Sequence, residues 1–180
     1  FLYIVSHSVN ILFFKEMVSK KFTLILFLFA FLCISCDVLQ KSPRSVPNLK
    51  GISVKGEDFS FEFSQCRSTI IAFGASFCPP CKVDHEIFTQ IYDSLKSDSL
   101  CILYVNADED FETMQNYVRK MKIPYPSLHW NYELMNNLGN PHLLPTYFIA
   151  DKNGNIRIYA KGMLGKSGVA KLKQYLQGTK

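Results

Sequence analysis

The sequence has no run of basic residues, no internal repeat and no low-complexity domain, and charged residues make up only 19% of its 180 positions. Residues 37–180 hold 17 Lys/Arg against 14 Asp/Glu, scattered along the chain. That is the pattern of a solvated surface, and without a clustered positive footprint it argues against nucleic acid as a partner. Metal-ligand spacing is missing too. The Cys-x-x-Cys of Cys78 and Cys81 is followed by no further Cys-x-x-Cys and no His pair, whereas a structural zinc site needs about four ligands. His85, His129 and His142 stand at no ligand spacing and read as surface or core residues. No metal and no cofactor is implied. The apolar run Phe22–Ser35 is 14 residues long, short of the roughly 20 that a membrane-crossing helix needs.

Hydrophobic residues make up 48% of the sequence, and the excess is concentrated before Leu32. The remainder has the composition of an average soluble protein. Its length suits one domain plus a short appendage, and a core of that size is stable without staples, so a disulfide here is expected to be functional rather than structural.

The N-terminal part reads as export grammar. Met17-Val18-Ser19-Lys20-Lys21 would serve as the start of a secretory signal, leaving residues 1–16 as a non-native upstream extension. Lys20 and Lys21 form a positive n-region, Phe22 to Leu32 an h-region, and Cys33-Ile34-Ser35-Cys36 a cleavage region, which makes 17–35 a signal peptide. The ending resembles a bacterial lipobox, with Cys36 after the small Ser35 as the residue to be lipidated, Cys33 where Leu is usual, and Leu32 one place early. Residues 36–48 are then anchor and linker, with Gln40 to Pro47 polar and Pro-containing, and 49–180 a folded domain. The expected location is the bacterial cell envelope, facing the periplasm on a lipid anchor.

Within 49–180, strands and helices alternate. Phe59 to Phe63 alternates at period two, and Thr69 to Phe73 is a continuous run suited to a central strand. Val83, Ile87, Ile91 and Leu95 recur every four residues, with Phe88 widening the stripe, which predicts a helix that Cys81 enters. A strand over Leu100–Val105, a helix from about Asp110 to Met121 stopped by Pro124 and Pro126, and a small helix over Tyr132–Leu138 follow. Thr146–Ala150 and Ile156–Tyr159 flank Asp151-Lys152-Asn153-Gly154-Asn155, a hairpin with Asn-Gly turn chemistry, and a helix from about Ser167 to Leu176 closes the chain. The order implies an α/β domain with a mixed central sheet and helices on both faces.

The chemistry lies in Cys78-Pro79-Pro80-Cys81. In a first helical turn, residues i and i+3 are close enough for their sulfurs to bond, and the unpaired N–H groups there, that of Cys81 in particular, stabilise a thiolate at Cys78. Pro79 and Pro80 fix φ near the helical value but bring no N–H. Lys82 favours the thiolate and Asp84 opposes it. Cys66 and Cys101 are isolated: Cys101 reads as an inert core thiol, and Cys66, in a loop, as ambiguous.

With those residues in view, the chain resembles the thioredoxin superfamily, and within it the exported TlpA/ResA-like thiol-disulfide oxidoreductases. Ile71-Ala72-Phe73-Gly74-Ala75-Ser76-Phe77-Cys78-Pro79-Pro80-Cys81-Lys82 is similar to that family's strand, redox loop and helix start. Leu144-Pro145-Thr146-Tyr147-Phe148-Ile149, with Pro145 67 residues after Cys78, resembles its cis-proline strand. The resemblance implies a thioredoxin-like fold, Cys78 as attacking thiol, Cys81 as resolving thiol, and Pro145 as the cis-proline facing them. Phe77, Pro79, Leu144, Pro145 and Thr146 would line the substrate groove, and Asp84 would relay the proton of the resolving thiol. Gly74 and Phe77 replace two Trp residues common in the loop. Phe77 can still shield the dithiol, while Gly74 is expected to leave the loop less packed and more mobile.

The function so implied is reduction or exchange of disulfides in exported proteins, with an upstream electron-donor thiol protein and a membrane, through the lipid anchor, as further partners. A peroxiredoxin-like peroxidase shares the fold, but the residue three before Cys78 is Ala75 where those enzymes carry Thr. A non-catalytic, surface-anchored binding module of the same fold is the alternative from another class, and it has no need of an intact dithiol.

Overall fold

The computed structural model describes residues 39–41, 45–46 and 49–178. The signal segment, the upstream extension and the lipidation expected at Cys36 lie outside the described residues.

In chain order, β1 (Leu39–Lys41) precedes a hairpin of β2 (Leu49–Ile52) and β3 (Asp58–Phe61). A 3-10 turn, Phe63–Gln65, leads into β4 (Ser68–Gly74), α1 (Pro79–Ser97) and β5 (Leu100–Asn106). Next come α2 (Phe111–Met121), β6 (Ser127–His129), α3 (Tyr132–Asn137), β7 (Thr146–Asp151), β8 (Ile156–Lys161) and α4 (Gly165–Gly178). Six strands form one mixed sheet in the order β1-β8-β7-β4-β5-β6. β4, β5 and β6 run parallel, and β7 lies antiparallel to β4. Part of the stretch read from sequence as linker thus contributes an edge strand, β1, paired antiparallel to β8.

Every residue of β4 is buried, as its unbroken apolar run requires of a strand covered on both faces. Successive side chains in a strand point to opposite faces, and the core divides accordingly. Ile70, Ala72, Ile102, Tyr104, Tyr147 and Ile149 pack with the inner faces of α1, α2 and α4. Ile71, Phe73, Leu103, Val105 and Phe148 pack with Leu49, Phe61, Phe63, Leu134 and Leu138, from the hairpin and around α3.

Polar caps set the helix starts. Asp110 accepts from the Thr113 N–H at 2.7 Å ahead of α2, and Asn131 accepts from the Leu134 N–H at 2.8 Å ahead of α3. Between β7 and β8, the Asp151 carboxylate accepts from the Asn153 and Asn155 N–H groups, and Gly154 takes φ 76° in contact with Val46. A side chain there would strain the backbone and strike the Val46 carbonyl.

The expected stripe on α1 is rotated. Val83 is 44% exposed, Ile87 and Ile91 are half-buried, and the inward residues are Cys81, Asp84, His85, Phe88 and Leu95. A step of four residues advances roughly 40° past a full turn, so the series from Val83 to Leu95 winds across the helix: Ile87 and Ile91 pack against the edge of the core and only Leu95 is buried within it. Two polar side chains take the middle of the buried face because each finds partners there.

Candidate active site

β4 ends at Gly74, the chain turns through Ala75–Phe77, and Cys78 becomes the N-cap of α1 with Pro79 and Pro80 in the first turn. The Cys78 N–H donates to the Ala75 carbonyl at 3.2 Å, which closes that turn. Cys78 and Cys81 are joined by a disulfide, with Cα atoms 5.3 Å apart. The Cys81 N–H points at the Cys78 sulfur, 3.2 Å away, so the donor expected from sequence to hold a thiolate is in place. Both sulfur-bearing residues are buried, while Phe77 beside them is 69% exposed.

Gly74 corrects an expectation. A Cβ at this position would lie 3.1 Å from the Cys81 sulfur and 3.4 Å from the Tyr104 ring. The room that a side chain would take is already filled by the dithiol, so the glycine permits close packing instead of loosening the loop.

The Leu144–Pro145 peptide is cis. Thr146 pairs with Phe73 across β7 and β4, which brings Pro145 to the end of the sheet where the redox loop begins. The Pro145 carbonyl accepts from the Gly162 N–H at 2.8 Å. Thr146 is buried, its hydroxyl donating to the Leu143 carbonyl at 2.6 Å, so it braces the turn from inside. Leu144 is half-buried and Leu143 exposed, while Pro79 is exposed beside Cys78.

Asp84, one turn beyond Cys81, is fully buried. Its carboxylate accepts from the Tyr147 hydroxyl at 2.7 Å and from the Leu164 and Gly165 N–H groups at 2.8 Å each. It thereby ties α1 to the cis-proline strand and to the start of α4. Burial, and then the charge of Asp84, push the Tyr147 phenol well above its ordinary range, which keeps it a donor. His85 lies on the same buried face with Nδ1 2.6 Å from the Tyr125 hydroxyl, and burial lowers its pKa to about 4.

A second polar network escaped the sequence reading. Asp108, buried, accepts from the Ser76 N–H at 3.1 Å and from the Ser76 hydroxyl at 2.9 Å. Asn106 donates to Asp108 at 2.8 Å and to the Tyr104 hydroxyl at 3.0 Å, and accepts the Asp108 N–H. The available signal was a pair of polar residues, Asn106 and Asp108, at the carboxyl end of a buried parallel strand, beside the loop that β4 feeds.

Cys66 and Cys101 also differ from expectation. They are joined by a disulfide with Cα atoms 5.9 Å apart, so neither is an isolated thiol. Cys66 precedes β4 and Cys101 pairs with Thr69 near the start of β5. The bridge therefore staples two parallel neighbours at the end of the sheet opposite the redox loop. Sequence distance concealed this contact, because only the β4–α1–β5 crossover brings the strand starts together. Among the described residues no group of three or more His, Cys, Asp or Glu could hold a metal.

A family model described as Thioredoxin-like matches residues 66–156. Sporulation thiol-disulfide oxidoreductase A of Bacillus subtilis is 28% identical over 131 residues, covering 69% of this chain and 75% of that protein. Thiol-disulfide oxidoreductase ResA of Geobacillus kaustophilus is 22% identical over 125 residues, covering 69% and 72%. Among solved structures, a thiol:disulfide interchange protein of the thioredoxin family from Chlorobium tepidum superposes with a TM-score of 0.67 at 24% identity, over 77% of this chain and 99% of that one. StoA from Bacillus subtilis superposes with a TM-score of 0.59 at 25% identity, over 76% and 98%.

Proposed function

Because the chain belongs to the thioredoxin-like family and is an oxidoreductase of the thiol-disulfide type, we propose that Cys78 and Cys81 reduce or exchange disulfides of exported proteins. The observation that carries this reading is the Cys78–Cys81 bridge at a helix entry on the same sheet end as the cis-proline Pro145.

In the reduced protein, the Cys78 thiolate attacks one sulfur of a substrate disulfide. The substrate S–S bond breaks, one substrate sulfur leaves as a thiol, and the other is held on Cys78 as a mixed disulfide. Cys81 then gives up its proton and attacks the Cys78 sulfur, which releases the second substrate thiol and regenerates the Cys78–Cys81 bridge. An upstream electron-donor thiol protein returns the two electrons. The N-terminus of α1 and the Cys81 N–H stabilise Cys78 as a thiolate and as a leaving group.

Asp84 is the proposed acceptor of the Cys81 proton. Three of its roughly four acceptor sites are occupied, which leaves one for that proton. Phe77, Pro79, Leu144 and Pro145 are proposed to meet the substrate, and Thr146 to hold their turn in shape.

Export is supported by the pattern of residues 17–35 and by the Cys66–Cys101 bridge, since a disulfide of this kind persists in oxidising compartments. Lipidation of Cys36 and a place on the envelope membrane complete the proposal, and mass spectrometry of the mature N-terminus tests them. An unmodified Cys36 would remove the anchor.

Trapping tests the chemistry. A Cys81→Ala variant, purified from cells that make the protein, should carry exported proteins bound to Cys78 that dithiothreitol releases. An absence of adducts, together with loss of no insulin-reducing activity in Cys78→Ser, would overturn the reading.

A further inference from the structure

Two cavities flank the redox loop and the cis-proline turn, and their charge is one-sided. The first, about 320 Å³, is lined by Ser76, Lys82, Thr113, Asn116, Tyr117 and Lys120, among others, so it opens two residues before Cys78 and one after Cys81. The second, about 410 Å³, runs along the turn that precedes Pro145, taking in His142, Leu143, Thr146, Tyr159 and Lys161. Among the described residues no Asp or Glu lines either one. Lys82, Lys120 and Lys161 form no ion pair among the described residues, where the ion pair present joins Arg157 and Asp151. Lys161 instead lies 5.4 Å over the Tyr159 ring, which leaves its charge facing outward from an apolar surface.

The opposing charges lie outside the two linings. Asp110 accepts from the hydroxyl and N–H of the lining Thr113 at 2.7 Å each, and Asp108 stands behind Ser76, with its oxygens occupied by Ser76 and Asn106. Glu86 on α1 acts on Tyr117 from outside the cavity lining. Burial pushes the Tyr117 phenol up, so it stays neutral and the lysines are left as the charged lining of the first cavity. Exposed apolar groups accompany them: Phe77 directly before Cys78, and Leu143 in the lining of the second cavity two residues before Pro145, 69% and 51% exposed.

We infer that this end of the protein is built for an acidic segment: a substrate chain whose apolar residues meet Phe77 and Leu143 next to the reacting cysteine, and whose Asp or Glu side chains reach Lys82 and Lys120 on one side and Lys161 on the other. The inference rests on the dithiol reading above and names the substrate class for it. Charge complementarity selects the occupant, since a carboxylate in either cavity meets unpaired cations and a second cation would meet like charge. Acidic residues near the target disulfide then favour encounter and alignment without any change in the sulfur chemistry.

The test uses two peptide disulfides identical except for Glu or Gln on both sides of the target cysteine, reduced by the full chain in its dithiol form. The Glu peptide should react about five-fold faster at low salt, the effect of a pair of exposed ion pairs, and the advantage should vanish near about 0.5 M salt. A Lys120→Gln, Lys161→Gln double variant should lose most of that advantage, keeping only the share due to Lys82, while reducing the Gln peptide at the unaltered rate. Lys82 is left in place because it adjoins Cys81. Equal rates for the two peptides with the unmodified chain, or an undiminished advantage in the double variant, would overturn the subsite. Failure to reduce even the Gln peptide would instead overturn the dithiol reading on which it rests.

Discussion

Asp108 holds Ser76 by both its backbone N–H and its hydroxyl, from a position 32 residues further along the chain. Two residues later comes Cys78, so the carboxyl end of β5 clamps the loop that β4 hands to α1. Replacing Asp108 with Ala takes the acceptor from two donors of the half-buried Ser76 and from one N–H of the buried Asn106 amide. The expected loss is about 2–3 kcal/mol of unfolding free energy, read by urea denaturation, together with slower insulin reduction. Ser76→Ala, which removes one donor and leaves the backbone N–H paired, should cost about 1 kcal/mol.

Asp84 separates a structural from a chemical role through two substitutions. Asp84→Ala strands the Tyr147 hydroxyl and two backbone N–H groups inside the protein, and should cost about 3 kcal/mol or more. Asp84→Asn keeps one acceptor oxygen and most of the packing, yet has no carboxylate to take a proton. If Asp84 receives the Cys81 proton, the resolving step in Asp84→Asn slows by about ten-fold or more and its pH–rate profile moves to higher pH. A resolving step of unaltered rate and pH profile would leave Asp84 as a structural tie only.

At Gly74 the prediction concerns packing against sulfur. A methyl group there would approach the Cys81 sulfur to 3.1 Å, tighter than ordinary contact, and that sulfur is held in the bridge to Cys78. Gly74→Ala should destabilise the oxidised form by about 1–3 kcal/mol and make the dithiol form relatively more stable. The measurement is the equilibrium of the dithiol with a glutathione buffer, which should shift toward the reduced side.

His85 links stability to pH. Its folded pKa, about 4, lies below the ordinary value of 6.5, so the unfolded chain binds the proton more readily between those values. The stabilisation tied to neutral His85 is complete above pH 6.5 and is lost as pH falls toward 4. The shift corresponds to about 3 kcal/mol. Urea denaturation between pH 7 and pH 4 should show this decline, and His85→Gln should remove that part of it.

The Cys66–Cys101 bridge spans 35 residues of sequence, and that loop contains β4, the dithiol and α1. Replacing both cysteines with Ser should lower the unfolding free energy by about 3–4 kcal/mol. The potential of the Cys78–Cys81 couple should stay as it is, which a glutathione titration of the variant checks.

The order of strands and helices was legible because it rests on local patterns: the buried run of β4, the Asn153-Gly154 turn, the prolines that stop α2. Cys78, Cys81 and Pro145 stood out for the same reason, each carrying its signal within a few adjacent residues. What escaped depends on contacts between distant segments. The resemblance names Asp84 but not its partner Tyr147, and His85 looks like the polar side of a helix until the fold brings Tyr125 to it. Cys66 meets Cys101 because the parallel pairing of β4 and β5 sets their starts side by side. Gly74 reads as a missing side chain in one dimension and as a seat for Cys81 in three. β1 has too few residues to announce itself, and its partner β8 lies more than a hundred positions away.

The seven residues of β4 separate Cys66 from the loop that ends in Cys78. At about 3.3 Å per residue, the strand keeps the two disulfides roughly 20 Å apart, too far for sulfur to reach sulfur within one molecule. The strand therefore works as an insulator between two redox couples. A single copy can hold one couple oxidised and the other reduced, so mild reduction followed by alkylation should label Cys78 and Cys81, while Cys66 and Cys101 take label only on complete reduction of the unfolded protein.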